Sequence, residues 1–283
     1  MGKDIVEQFG SITELMKTLG ERKENNAAMK GKHSENDNDV SFYGTKTYKE
    51  AVDLLENGWT EKLEEVKEKF NAAARANAST SVERVRPSTG VVGYAPCVPN
   101  AIRGLPNSMI TSERVPNKVK AVSVVYGTTV ASSWTTNEMI KCGIAVLKLV
   151  NSLELEGYRV KLVLEAFSAE KNSSSATMLV DVKDYRQQID LKKLCFPIIH
   201  PAMFRRICFK WLETVPNLTE RGFSYGYGTP LTSEYQKHSK ELKDRFKVLG
   251  ENDYYISAYM VKSNGYDIEK IMKEAGMSQL RKG

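Results

Sequence analysis

Between Lys118 and Ser168 two apolar runs, KVKAVSVVYG and YRVKLVLEAFS, bracket a helix that is itself apolar over most of its surface, and this leaves few folds open to the chain. The first run is β-branched and nearly continuous, the composition of a strand covered on both faces. A polar loop, TTVASSWTTNE, leads into EMIKCGIAVLKLVNSLELEG. There Met139, Ile140, Cys142, Ile144, Val146, Leu147, Leu149, Val150 and Leu153 occupy most of the circumference, and Gly157 supplies the left-handed stop. Strand, helix and strand joined this tightly predict a parallel βαβ unit. After the polar tip AEKNSSS, the segment ATMLVDVKDY alternates apolar and polar residues. A loop that short cannot cross a sheet, so this segment is expected as an antiparallel hairpin partner of the second strand.

The rest of the chain divides around that unit into 1–39, 40–117 and 118–283. In 1–39, Ile5, Val6, Phe9, Ile12, Leu15, Met16 and Leu19 recur by threes and fours and predict one amphipathic helix. The polar stretch ERKENNAAMKGKHSENDND after it reads as a flexible tether. Such a helix either packs on its own domain or serves as a docking or oligomerisation arm. In 40–117, Thr47 with Glu50 forms a capping-box pattern. Ala51, Val52, Leu54 and Leu55 make a buried face, and Gly58 ends the helix. A charged helix follows from Thr60 to about Ala78, with Leu63, Val66 and Phe70 on one side. The next stretch, SVERVRPSTGVVGYAPCVPNAIRGLPNSMI, is too rich in proline and glycine for a long helix and reads as an irregular wrap or short edge strands.

In 118–283, beyond the hairpin, Asp190 caps a short helix DLKKLCF, and Phe196 to Ile199 is a candidate strand. Pro201 opens AMFRRICFKWLETVP, with Phe204, Ile207, Cys208, Trp211 and Leu212 inward. FSYGYGTP is a glycine and aromatic loop, TSEYQKHSKELKDRFKVLG a surface helix and DYYISAYMV a further strand; Asp267 caps a terminal helix.

Composition narrows the function classes. The 283 residues are 41% hydrophobic and 27% charged, enough for a substantial core. Forty-one Lys and Arg against 35 Asp and Glu leave +6, a mild excess without a dense basic stripe, so nucleic acid is not indicated. No segment approaches the roughly 18 consecutive apolar residues of a membrane span, and the first thirty residues hold no signal-peptide run. A cytoplasmic protein without membrane contact is expected. Cys97, Cys142, Cys195 and Cys208 are far apart and form no CxxC, so neither disulfides nor a zinc site is expected, and Cys142, Cys195 and Cys208, with apolar neighbours, are expected as buried inert thiols.

Buried strand, polar loop, apolar helix, second strand and antiparallel hairpin strand, in that order, resemble the opening of a von Willebrand factor A type domain. The phrases SFYGTKTYKEAVDLLENGW, LELEGYRVKL and IIHPAMFRRICFKWLE, spread over roughly residues 41–228, resemble an uncharacterised family of tailed-phage and prophage proteins. The resemblance implies an α/β fold with a von Willebrand A-like (Rossmann-like), mostly parallel sheet flanked by helices, carrying an α-helical N-terminal extension. It also implies a phage-encoded protein in a bacterial host cytosol. In such domains the loop after the first strand binds Mg²⁺ through an Asp-x-Ser-x-Ser pattern. Here it reads Tyr126, Gly127, Thr128, Thr129, Val130, Ala131, Ser132, with tyrosine where the aspartate is needed. The hydroxyls of Thr128, Thr129, Ser132 and Ser133 hold a divalent cation poorly by themselves, so no metal and no cofactor is expected.

No GxxxxGK[ST], GxSxG, HExxH or strand-to-helix GxGxxG motif is present. His33 and His238 are expected to be solvated. His200, before Pro201, is either a hydrogen-bonded structural residue or part of an anion pocket with Arg205, Arg206 and the Tyr225 to Gly228 loop. Adjacent helical arginines point about 100° apart, so one of the two is expected at the surface. The leading expectation is a non-enzymatic interaction module for a host, defence or phage protein. Recognition would lie on Thr128, Thr129, Ser132, Ser133, Trp134, Phe223, Tyr225 and Tyr227, with Trp134 and Tyr225 as anchors. A nucleic-acid accessory role and the binding of an anionic small molecule through His200 and Arg205 are the alternatives.

Overall fold

The computed structural model describes residues 4–23, 32–61, 63–68, 85–114, 120–170, 174–219, 223, 227–244, 250 and 252–282. Its strands are β1 (Ile5–Phe9), β2 (Val85–Gly90), β3 (Ala95–Pro96), β4 (Met109–Arg114), β5 (Ala121–Gly127), β6 (Arg159–Glu170), β7 (Ser174–Lys183) and β8 (Asp253–Ser257). Five build the main sheet in the order β1-β7-β6-β5-β8, and three build a small antiparallel sheet in the order β2-β4-β3.

The main sheet grows from the βαβ unit. β5 lies parallel to β6, with Val124 beside Leu162, and the helix Thr136–Leu155 crosses between them. Thr135 and Glu138 close a reciprocal capping box at its start, and Gly157, at φ +90°, turns the chain into β6. β7 returns antiparallel to β6 as a hairpin, while β8 adds parallel to the other side of β5. One face of the sheet carries the helices Thr136–Leu155 and Leu191–Ile199, pressed so close that a Cβ on Gly143 would strike the carbonyl of Ile198. The helix Tyr235–Asp244 lies on the other face, where Leu242 packs with Val125, Val163, Leu179 and Tyr255. The result is an α/β fold with a mostly parallel sheet flanked by helices.

The N-terminus departs from expectation. Ile5–Phe9 is a strand, paired in parallel with β7 from Ile5 beside Ala176 to Phe9 beside Val180, and the helix is confined to Ile12–Glu21. Spacing by threes and fours fits both readings at Ile5, Val6 and Phe9, and the open edge of β7 decides for the strand. Glu7 on β1 takes a bidentate pair from Arg22 at 2.8 and 2.9 Å and the indole N–H of Trp211 at 2.7 Å. Leu15 and Leu19 are buried, so of the two readings of this helix the structure takes packing on its own domain, and the apolar face is spent on the chain's own core rather than on an oligomerisation arm.

Part of the presumed tether is bolted down as well. Residues 24–31 lie outside the described residues, but His33–Asn36 is a short helix whose Ser34 is buried against Glu213. The helix Tyr48–Asn57 is capped by Thr47 as expected, with Ala51 buried; Glu50 reaches the amide of Lys46 at 2.7 Å. Residues 63–68 are helical with Val66 buried, and Phe70 lies outside the described residues.

Two elements change type. Phe196 to Ile199 is the end of the helix Leu191–Ile199, not a strand, and DYYISAYMV is a strand only as far as Ser257. The Ser257 hydroxyl accepts the amide of Met260 and starts the helix Ala258–Ser263. Among the described residues no helix is long and apolar enough to cross a membrane.

Candidate functional site

Of the candidate residues after β5 that can be placed, all but Ser132 and Ser133 serve the fold more than a surface. Thr128 donates to the carbonyl of Glu165 at 2.9 Å, and Thr129 accepts the amide of Phe167 at 2.8 Å, so the two hydroxyls fasten the end of β5 to β6. Ser132 and Ser133 are exposed. Trp134, expected as an exposed anchor, is buried. It packs edge-on against Tyr259 at 4.8 Å under the ammonium of Lys262, 4.3 Å from its ring. Phe223 is buried and Tyr225 lies outside the described residues. Tyr227 stacks on Phe209 at 3.9 Å and donates its hydroxyl to Glu213 at 2.5 Å. The expected recognition surface is thereby reduced to two serines among the described residues.

The anion pocket meets a similar fate. Both Arg205 and Arg206 are buried, at 1% and 0% exposure, which corrects the expectation that one would face solvent. They sit in the π-helical segment Met203–Cys208, and the chain from Ser34 to Lys46 wraps the side that a free helix would expose. Arg205 donates to the carbonyls of Phe42 and Trp134 at 2.6 and 2.7 Å. Arg206 donates to Ser34, Thr45 and Lys46 carbonyls at 2.8, 2.9 and 3.2 Å and to the Thr45 hydroxyl at 3.3 Å. These guanidinium groups are used as clamps on backbone. His200 accepts the amide of Ala202 through Nδ1 at 3.1 Å, lies between Phe196 and Trp59, and is pushed down to about 4 by burial. It is a neutral structural histidine.

Sequence reasoning missed a buried polar cluster at the carboxyl end of the parallel strands. The carboxylate of Glu165, wholly buried on β6, meets Nε2 of His238 at 2.6 Å and accepts the hydroxyl of Tyr255 at 2.6 Å. Gly127 makes the room, since a Cβ there would strike the Tyr255 hydroxyl. His238 is buried between Phe167 and Tyr255, not solvated. Burial alone would lower its pKa, but the charge and hydrogen bond of Glu165, with Glu241 nearby, raise it. Both carboxylate oxygens are engaged and both side chains are closed to solvent, so the cluster fastens the helix Tyr235–Asp244 to the sheet. The signal was available: one acid inside the apolar run VKLVLEAF requires a buried partner. Cys142 and Cys195 are pushed up by burial to about 12 and 11, and Cys208 higher, as expected of inert thiols. No cluster of three metal-ligating side chains occurs among the described residues.

The family described as Domain of unknown function (DUF7192) matches residues 2–279. The chain belongs to that family. No curated protein and no solved structure matches it.

Of the seven large hydrophobic side chains exposed among the described residues, six, Val91, Val92, Tyr94, Val98, Ile102 and Leu105, lie between β2 and β4. Gly90 and Pro96 both stand opposite Met109, so residues 91–94 and 97–108 leave the sheet at the same end and gather there. Gly93 permits the crossing over β4, where Tyr94 donates its amide to Ile110 at 2.9 Å. Apolar residues scattered without period among proline and glycine were the available signal, read in sequence only as punctuation.

Proposed function

We propose that this chain is a non-enzymatic protein-interaction module, phage- or prophage-encoded, built on a von Willebrand A-like sheet. The order β7-β6-β5-β8, with β7 reversed against the other three, supports the von Willebrand A-like reading, while the phage attribution rests on the sequence phrases above. The single observation that carries the functional reading is the exposed apolar end of the small sheet, Val91 to Leu105. Apolar side chains exposed together at one end of a sheet mark a contact site, because leaving them in water forfeits the transfer free energy that burial supplies. Recognition therefore moves to this end from the two expected loops, Thr128 to Trp134 and Phe223 to Tyr227, of which Trp134 and Phe223 are buried. The small-molecule reading loses its donors, since the Arg205 and Arg206 guanidinium groups are taken up by carbonyls.

The test is capture with tagged full-length chain from nuclease-treated bacterial lysate that also contains the untagged chain. We expect a stoichiometric protein partner that the doubly substituted Val92→Asp, Ile102→Asp chain fails to retain. A partner retained equally by both chains removes this surface from the reading.

A further inference from the structure

Resting on the reading of Val91 to Leu105 as a docking surface, we infer that its occupant is a second copy of this chain, in a two-fold contact. Three observations converge. First, no side chain from Pro87 to Ser112 is buried, so the small sheet has no core of its own. A small sheet without packed side chains needs apolar cover to be stable, and a second copy set against the segments at its end supplies that cover.

Second, the surface is large enough. Val92 and Ile102 are 82% and 81% exposed, and the six side chains together leave on the order of 600 Å² uncovered, close to the roughly 800 Å² per partner of a standard interface. Third, the surface carries almost no charge. From Pro87 to Ser112 there is one formal charge, Arg103, and no carboxylate. Permanent homodimer contacts are the apolar ones, and a transient partner would more often be read through charged groups. An apolar end that must be covered from the moment the chain folds is covered most simply by the molecule always present beside it. A two-fold axis makes the patch its own complement.

Sedimentation equilibrium of the purified full-length chain tests this. The expected result is a mass twice the 31.8 kDa of one chain at roughly micromolar concentration, falling to one chain in the doubly substituted Val92→Asp, Ile102→Asp variant. Val40→Asp, at an exposed apolar residue outside the small sheet, should leave the dimer unchanged. A second readout needs no substitution in the patch. Cys97 is half-buried within it while the other three cysteines are buried, so a bismaleimide should link two wild-type chains, and Cys97→Ser should abolish the link. A monomeric wild-type chain that does not cross-link overturns the inference. If the aspartate variant still loses a different captured protein in that case, the docking surface stands with another occupant, and if it loses nothing, both readings fall.

Discussion

At Glu165 the chain buries a carboxylate with no exposed surface and compensates it with one histidine and one tyrosine. The sign of its pH dependence follows from the raised pKa of His238. A folded-state pKa above the ordinary 6.5 means that the pair's contribution is complete below about pH 6.5 and is lost as pH rises through the folded value. The melting temperature of His238→Gln is expected to fall short of wild type by most in mildly acid buffer, with the gap narrowing on the alkaline side. His200 behaves in the opposite sense. Its pKa, pushed down to about 4 by burial, makes its contribution complete above pH 6.5 and lost as pH falls toward 4. In an NMR titration the His200 ring should remain neutral at pH 5 while that of His238 is charged, and a His200 resonance titrating near 6.5 would contradict its burial. Trp134 belongs at this scale as well. Trp134→Ala should behave as a core truncation, costing about 3–5 kcal/mol in urea unfolding, without a selective loss of partner binding.

Among the elements, the segment from Ser34 to Lys46 shows how far sequence patterning carries. Its first half, SENDND, reads in sequence as the end of a polar tether. The segment is held because Arg206 converges on three of its carbonyls and Glu213 takes the amide and hydroxyl of Ser34. Arg206→Leu leaves those carbonyls without their charged donor, at a cost of about 3 kcal/mol. Hydrogen exchange should quicken over residues 34–46 while the strands β5 to β7 keep their protection. Uniform acceleration across the chain would mean instead that the clamp is part of the main core. The arginine pair was visible in the sequence; its targets were not, because they are backbone oxygens 71 to 172 residues away. By contrast, the caps at Thr47, Asp190 and Asp267 and the glycine stops at Gly58 and Gly157 were legible, since each depends on residues within one turn of itself.

Across the whole molecule, the main sheet and the small sheet contrast in what they bury. The main sheet is walled by helices, and its strand β5 is buried from Val122 to Gly127. The small sheet ends in six exposed apolar side chains. An apolar contact there should be nearly indifferent to salt. The dimer mass is expected to hold between low and high sodium chloride, whereas a nucleic-acid partner bound through several phosphates would be shed steeply. Dissociation of the contact as salt rises would count against its apolar character.

Local chemistry determined the βαβ unit, its hairpin and most of the helix ends, because hydrophobic period, caps and glycine stops act over a few residues. Only the tertiary structure decided that Ile5–Phe9 is a strand, that both Arg205 and Arg206 turn inward, and that Glu165 finds His238 and Tyr255. Each of these depends on an unpaired edge, a carbonyl or a charge brought from far along the chain. The free energy of burying a polar group is settled by whatever partner the completed fold places beside it.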